Sequence, residues 1–392
     1  MTCRQWLTRR QWFLAAPGLP GLIGTSAFAA AAAPAGTAAS LPATASNTAD
    51  PVRPGRPWSF PRDHGAHPGA QIEWWYLTGR VVAAGERVFG FQITFFASRT
   101  GLSGAGNNRW APTHLLFAHA ALTNLSNQRH QHDHRMARWG GAGALGAASA
   151  AQADTDLRLG SWQLQRQAGA SFSQYRVVVA TEVPAPSGFA FDLRLQASQV
   201  PLLQGEQGYS RKGGGAASHY LSEPQLQAAG QVSVGRESLA VRGKAWLDHE
   251  WSDSLLPPAA VGWDWIGINL DNGDSLMAFR LRTAEGQVIW AGGSQRSQAG
   301  AVQAFAPAQV RFTPLRWWTS PTSGARYPVA WEIETPLGRQ RLEALLDAQE
   351  IDGRRSTGTV YWEGLVALRD KANTMLGHGY LEMTGYAGPL RL

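Results

Sequence analysis

The run Trp246-Leu247-Asp248-His249-Glu250-Trp251 and the nearby Gly262-Trp263-Asp264-Trp265 set three carboxyl groups and one imidazole among four indoles. A carboxyl packed against indole rings loses hydration, which raises its pKa and makes it a proton donor near neutral pH. Such groups can do acid–base chemistry on an apolar molecule. Side chains alternate along a strand, so Trp246, Asp248 and Glu250 share one face and Leu247, His249 and Trp251 the other. Either choice of inward face buries something ionisable beside tryptophan. The competing reading of the same residues is a buried polar network that fixes strand register.

The elements that must hold these residues read as strands. Ile72 to Thr78, Val88 to Phe96, His114 to Thr123, Tyr175 to Ala180, Ala190 to Leu195 and Ser238 to Asp248 alternate or carry β-branched and aromatic residues. A second set runs through Trp263 to Leu270, Ser275 to Arg282, Val288 to Ser294, Val310 to Pro314, Ala330 to Thr335, Gln340 to Leu346, Gly358 to Val366 and Gly379 to Gly385. Helical periodicity is scarce. Leu255 to Gly262, with Pro257 and Pro258, reads as the link between two all-β halves. Gly140 to Ala151 and the shorter Gly213 to Ala217 read as loops.

A chain of 392 residues exceeds the usual span of one core, so two domains are expected. Seventeen tryptophans against five methionines suggest rigid aromatic walls. The sole cysteine, Cys3, lies ahead of the folded body, which excludes a disulfide framework and a cysteine nucleophile. Arg9-Arg10 precede an apolar, small-residue stretch ending near Ala27-Phe28-Ala29, the pattern of a twin-arginine export signal. Residues 1–29 are therefore expected to be a signal peptide and 30–57 a flexible leader, with a periplasmic or secreted mature protein. No segment is long and apolar enough for a membrane-spanning helix, so an integral membrane protein is not expected. The net charge of +7 is scattered, with no basic stripe to mark a nucleic-acid partner.

His130-Gln131-His132-Asp133-His134 reads as an exposed turn; no partner at ligand spacing accompanies it, and no metal is expected. No Gly-x-Ser-x-Gly elbow, Walker loop or dinucleotide fingerprint occurs, so neither a serine hydrolase nor a nucleotide cofactor is indicated. Glu73 could face a barrel interior as an acid or pair with an arginine such as Arg80. Tyr209 to Gly213, which includes Lys212, suits either a loop over a pocket mouth or an interdomain contact. Glu363 and Glu382 lie in aromatic strands and read as network partners of neighbouring hydroxyls.

Several of these segments together resemble one family. Glu73-Trp74-Trp75-Tyr76, Phe89-Gly90-Phe91-Gln92, His119-Ala120-Ala121-Leu122, Gly208-Tyr209-Ser210-Arg211-Lys212-Gly213, Asp248-His249-Glu250-Trp251, Gly262-Trp263-Asp264-Trp265, Tyr361-Trp362-Glu363-Gly364 and Gly379-Tyr380-Leu381-Glu382 are similar to the lipocalin-like family of carotenoid 1,2-hydratases and AttH-type proteins. The resemblance implies two tandem lipocalin-like antiparallel β-barrel domains, at 58–254 and 255–392, with a ligand pocket near their junction. It also implies a small apolar or amphipathic ligand, hydration of a terpenoid-type alkene in some relatives, and links to ABC transport systems in others. The strand Ser275-Leu276-Met277-Ala278-Phe279-Arg280 lacks the carboxylate of the hydratase branch. The closer resemblance is to the branch of secreted proteins.

Hydrating an unactivated alkene requires an acid that protonates carbon, a shielded cation, and a water with a base to take its proton. Asp248 or Asp264 could donate, Trp251, Trp263 and Trp265 could face the cation at about 2 kcal/mol per desolvated ring, and His249 could accept. Trp75, Glu73, His119, Tyr209 and Lys212 complete the expected ligand-binding set. The rival expectation is a non-catalytic carrier of a lipophilic molecule that works with ABC transporter components. Arg9→Lys with Arg10→Lys should leave full-length precursor in the cytoplasm, as seen by cell fractionation; a processed form starting near Ala30 in that variant would contradict the export route.

Overall fold

The computed structural model describes residues 51–101, 112–139, 147–167, 172–183 and 187–390. The expected signal, the leader up to residue 50 and the core of the Gly140 to Ala151 loop lie outside the described residues. The leader's last residues belong to the fold, since Arg56 binds both carboxylate oxygens of Asp63 at 2.8 and 2.9 Å.

The protein is all-β, with two large antiparallel sheets. The first takes β1 (Ile72–Ala83), β2 (Arg87–Arg99), β3 (His114–Asn124), β4 (Arg129–Trp139), β5 (Ala148–Ala150), β6 (Asp156–Leu159), β7 (Trp162–Gln167), β8 (Gln174–Ala180), β9 (Phe189–Gln196), β10 (Leu202–Leu203), β11 (Tyr209–Gly213), β12 (Ala216–Val234) and β13 (Glu237–Ser252). The second takes β14 (Gly262–Leu270), β15 (Ser275–Arg282), β16 (Val288–Arg296), β17 (Val302–Phe305), β18 (Arg311–Thr319), β19 (Arg326–Thr335), β20 (Gly338–Ala344), β21 (Glu350–Gly353), β22 (Thr359–Arg369) and β23 (Met375–Met383). The first sheet runs β4-β3-β2-β1-β13-β12-β9-β8-β7-β6-β5 and the second β17-β16-β15-β14-β23-β22-β20-β19-β18. The two sheets fit tandem barrels, one of them nearly closed. The histidine tract is a correction to the sequence reading, for it lies within β4 and pairs along its length with β3. Its alternation of histidine with polar residues carries no apolar signal, which is why it read as a turn.

Each sheet encloses an apolar core, built around Trp75, Phe89, Phe91 and Leu247 in the first and Ile266, Tyr327, Trp331 and Trp362 in the second. A third cluster lies between them, where Tyr76, Tyr220 and Trp246 meet Trp265, Phe279 and Tyr380. Strands at this junction are therefore buried on both faces: from Ala245 to Ser252 every residue of β13 is buried, and so is all of β15. A large aromatic buries roughly 150–250 Å², about 4–6 kcal/mol by area before chain entropy is set against it. The junction is thus packed as a core.

Polar groups close the seam. His119 Nδ1 lies 2.8 Å from the Tyr361 hydroxyl and its Nε2 2.8 Å from the Ser356 hydroxyl. Thr123 donates to Gln349 at 3.0 Å, and the backbone N–H of Gln225 donates to Asn269 at 2.7 Å. Burial, reinforced by His134 and His132, lowers the His119 pKa to about 3. An imidazole held neutral in the fold contributes stability that is complete above its unfolded pKa of about 6.5 and is lost as pH falls toward 3. His119→Phe keeps the ring but removes both hydrogen bonds, and should cost about 1–3 kcal/mol at pH 7. Between pH 7 and pH 5 the variant should escape an acid loss of about 2 kcal/mol that wild type shows in urea titrations; equal losses in the two proteins would contradict the assignment.

Candidate active site between the barrels

Parity along β13 sends Asp248 and Glu250 one way and His249 and Trp251 the other, so the conspicuous hexapeptide serves two places. The Asp248 face opens on a pocket of about 880 Å³ of atom-free space, solvent at its mouth included. Trp74, Phe96, Trp263, Trp265, Phe279 and Leu281 give it apolar walls, and Asp248, Glu250, Glu382 and Lys212 give it ionisable groups. The Trp74 and Trp263 rings are nearly parallel at 11°, with centroids 6.5 Å apart. Aromatic walls with a few convergent polar groups are typical of small-molecule sites.

Asp248 accepts from Tyr220 at 2.6 Å, Ser222 at 2.5 Å and the Trp246 indole at 2.7 Å. Tyr220 in turn accepts from the Trp265 indole at 3.1 Å. Burial pushes the Asp248 carboxyl up to about 7 even though its three donors pull the other way. Glu382 accepts from the Trp263 indole at 2.9 Å, and burial, joined by the charges of Asp248 and Glu250, raises it to about 7 as well. Glu363, directly opposite Glu382 in the β22–β23 ladder, is held well above the usual carboxylate range by burial and by Glu382. Glu250 is treated differently: it accepts from Ser218 and pairs with Lys212 at 2.9 Å.

Lys212 reaches the pocket because β11 and β12 form a hairpin through Gly214-Gly215, whose φ values of +58° and +83° suit glycine. Its ammonium lies 4.4 Å from the Phe279 ring centroid and 5.3 Å from that of Tyr220. The expected loop at Gly213 to Ala217 is this tight turn.

The other face of β13 points into the first barrel. There Glu73 Oε1 lies 2.7 Å from both His67 Nδ1 and His249 Nε2, and Glu73 Oε2 accepts the His67 backbone N–H at 2.8 Å. Trp251 stacks on His67 at 3.7 Å and Trp75 on His249 at 4.6 Å. Burial opposes charge here, yet Glu73 and Asp63 hold His67 above its ordinary value. Against the same burial, His67 and His249 lower Glu73 to about 2. The ligand atoms of His67, Glu73 and His249 lie within 4.8 Å of one another, a spacing a metal ion could use, but their own hydrogen bonds close the trio.

Asp248, Trp263, Trp265 and Lys212 thus line one pocket. His249, Glu73, Trp75 and Trp251 form the separate network inside the first barrel. Asp264 shares parity with Ile266 and Ile268, so it points into the second barrel and not toward Asp248. It pairs with Arg280 at 2.7 Å and Arg282 at 3.5 Å and accepts from Tyr386 at 2.9 Å. His119 sits in the seam, and Tyr209 faces Arg211 and His219 instead of the pocket. The sequence reading did not single out Tyr220, Trp74 or Phe279 and gave Glu382 only a network role. Tyr220 enters through the ladder that sets it opposite Glu250, a pairing that no local pattern announces.

Tandem barrels with an aromatic pocket at their junction define a lipocalin-like protein. The chain belongs to the AttH-like family, whose sequence model matches residues 51–386. The crystal structure of a protein assigned as AttH from Nitrosomonas europaea is 41% identical, with a TM-score of 0.77 over 86% of this chain and 99% of that one. Kievitone hydratase from Nectria haematococca shares the fold at 14% identity, with a TM-score of 0.64 over 87% of this chain and 97% of that one. No curated protein matches the sequence.

A carboxyl whose folded pKa is raised contributes stability that is complete below its unfolded pKa and is lost as pH climbs through the folded value. For Asp248 and Glu382 that window runs from about 4 to about 7. Glu382→Gln removes the ionisation, so its stability relative to wild type should rise by up to about 3 kcal/mol between pH 4.5 and pH 8. Chemical denaturation at the two pH values measures this. A constant difference would show that Glu382 ionises freely.

Proposed function

We propose that this protein binds an apolar or amphipathic small molecule between its barrels and adds water to, or removes it from, an alkene of terpenoid type. The observation that carries the reading is the pair of carboxyls, Asp248 and Glu382, held near neutral pKa in one tryptophan-walled pocket. Among the described residues Glu382 makes a single side-chain hydrogen bond, to Trp263, and is the freer of the two to give a proton to carbon. Trp263, Trp265 and Trp74 would face the resulting tertiary cation. Water attacks that cation, and its proton passes to Glu250, the carboxylate already paired with Lys212. His249 cannot take that proton directly, because its ring lies on the opposite face of β13. A hydratase among proteins of the same fold supports the reaction class only by analogy.

A carrier is the second reading, and the three hydrogen bonds that Asp248 already accepts favour it, since they suit a fixed structural anchor. In that reading the lipophilic ligand is handed to or from ABC transporter components. In both readings the protein works outside the cytoplasm, in the periplasm or beyond, and needs no cofactor.

Incubation with acyclic terpenoids in heavy-oxygen water tests the choice. The hydratase reading expects label in a tertiary alcohol, with turnover falling about a hundredfold or more in Glu382→Gln and Asp248→Asn. Ligand affinity, followed by tryptophan fluorescence, should stay within a few-fold in those variants and fall about tenfold in Trp265→Ala. Tight binding without any label, unchanged by Glu382→Gln and Asp248→Asn, would leave the carrier.

A further inference from the structure

A second crevice opens between the barrels on the far side of Trp246, with about 600 Å³ of atom-free space including solvent at its mouth. Arg80, Lys244 and His378 line it, and Asp271 is the one acid among its lining residues. Arg80 and Lys244 are directly opposite each other in the β1–β13 ladder, an arrangement in which like charges repel. The Arg80 guanidinium has no hydrogen-bond or ion-pair partner among the described residues, and its Nε is fully buried. Lys244 makes one long contact, 3.4 Å, to the Leu270 carbonyl. Burial lowers the pKa of both Arg80 and His378, although Asp271 opposes the shift in each.

The crevice continues into a trough on the outer face of the first sheet, which shares Gly243 and Lys244 with it. Arg176, Arg194 and Arg242 line that trough and no carboxylate does. Register explains the alignment: Arg242 pairs with Ala229, Ala229 with Arg194, and Arg194 with Arg176, so all three point the same way. Of these, Arg176 is neutralised by Asp192 at 2.7 Å. A solvated basic strand spreads its charges and pairs them. Here the half-buried end holds two opposed cations with no ion pair within 4.0 Å among the described residues.

We propose that the crevice lined by Arg80, Lys244 and His378 binds a phosphate-class oxyanion, with Arg242 and Arg194 extending the site outward. A guanidinium fork beside an ammonium matches tetrahedral oxygens, and the bound anion removes the repulsion between Arg80 and Lys244. The same chemistry could be a free phosphate compound or the headgroup of an anionic lipid. The site is independent of the apolar pocket and of the reaction proposed there.

Thermal unfolding of the full protein in chloride buffer, with inorganic phosphate added at constant ionic strength, tests the site. Phosphate should raise the midpoint saturably, and Arg80→Gln and Lys244→Gln should each weaken the apparent affinity by about tenfold or more. Without phosphate, Arg80→Gln should be at least as stable as wild type, so that adding phosphate reverses the order. Sedimentation with phosphatidylglycerol vesicles, against phosphatidylcholine vesicles, separates the sources. Selective vesicle binding that Arg80→Gln loses, with no response to free phosphate, assigns the site to a headgroup. No saturable phosphate response together with no selective vesicle binding overturns the proposal, as does an equal response in wild type and Arg80→Gln. Should Arg80→Gln fail to fold, exposed Arg242→Gln carries the comparison, with an expected loss of roughly threefold.

Discussion

Burial of β13 on both faces is the constraint on which the rest depends. A strand covered on one side can send its polar residues to water, but between Ala245 and Ser252 this one has no wet side. Every ionisable group in that stretch must find partners or give up its charge. Parity decides which partners are within reach. His249 finds Glu73 across the β1 ladder inside the first barrel, while Asp248 finds hydroxyls on β12 and an indole on its own strand.

The buried carboxyls sort accordingly into two kinds. Glu73 and Asp264 have cationic partners at hydrogen-bond distance, and such pairs hold a fold in register. Asp248, Glu363 and Glu382 face neutral donors and one another, and burial drives them toward the protonated form. Asp248, Glu363 and Glu382 collect where the barrels meet, whereas Glu223, also raised by burial, accepts from Ser173 and Tyr175 beside the first core. The tryptophans serve both kinds, as stacking partners for imidazoles on one side and as pocket walls on the other.

The all-β class, most strands of the second half and the two-faced character of Trp246 to Trp251 were legible in the sequence, because alternation is a local property. Asp264 shows where the reading stopped. Its neighbours Trp263 and Trp265 drew it toward the pocket, yet Ile266 and Ile268 at the same parity mark the barrel-facing side, and the pattern could have been extended to place it. Tyr220 and Glu382 reach the site through long-range ladders to β13 and β14, and no spacing in the chain encodes which strands become neighbours. The β4 strand escaped because its residues have no apolar period. Its place is set by pairing with β3 and by contact with the second barrel, where the Asp352 backbone N–H meets His132 at 3.3 Å.

Asp248 and Glu382, raised to about 7 by burial, keep protons well above the ordinary carboxylate range in the pocket between the barrels. Infrared spectroscopy of protein labelled with carbon-13 in its aspartate and glutamate carboxyls reads that state directly, through the carbonyl stretch of the protonated acid. At about pH 6, well above the ordinary carboxylate range, the band should persist, and Asp248→Asn and Glu382→Gln should each remove a distinct part of it. A spectrum of wild type at that pH that the two substitutions leave unchanged would contradict the account.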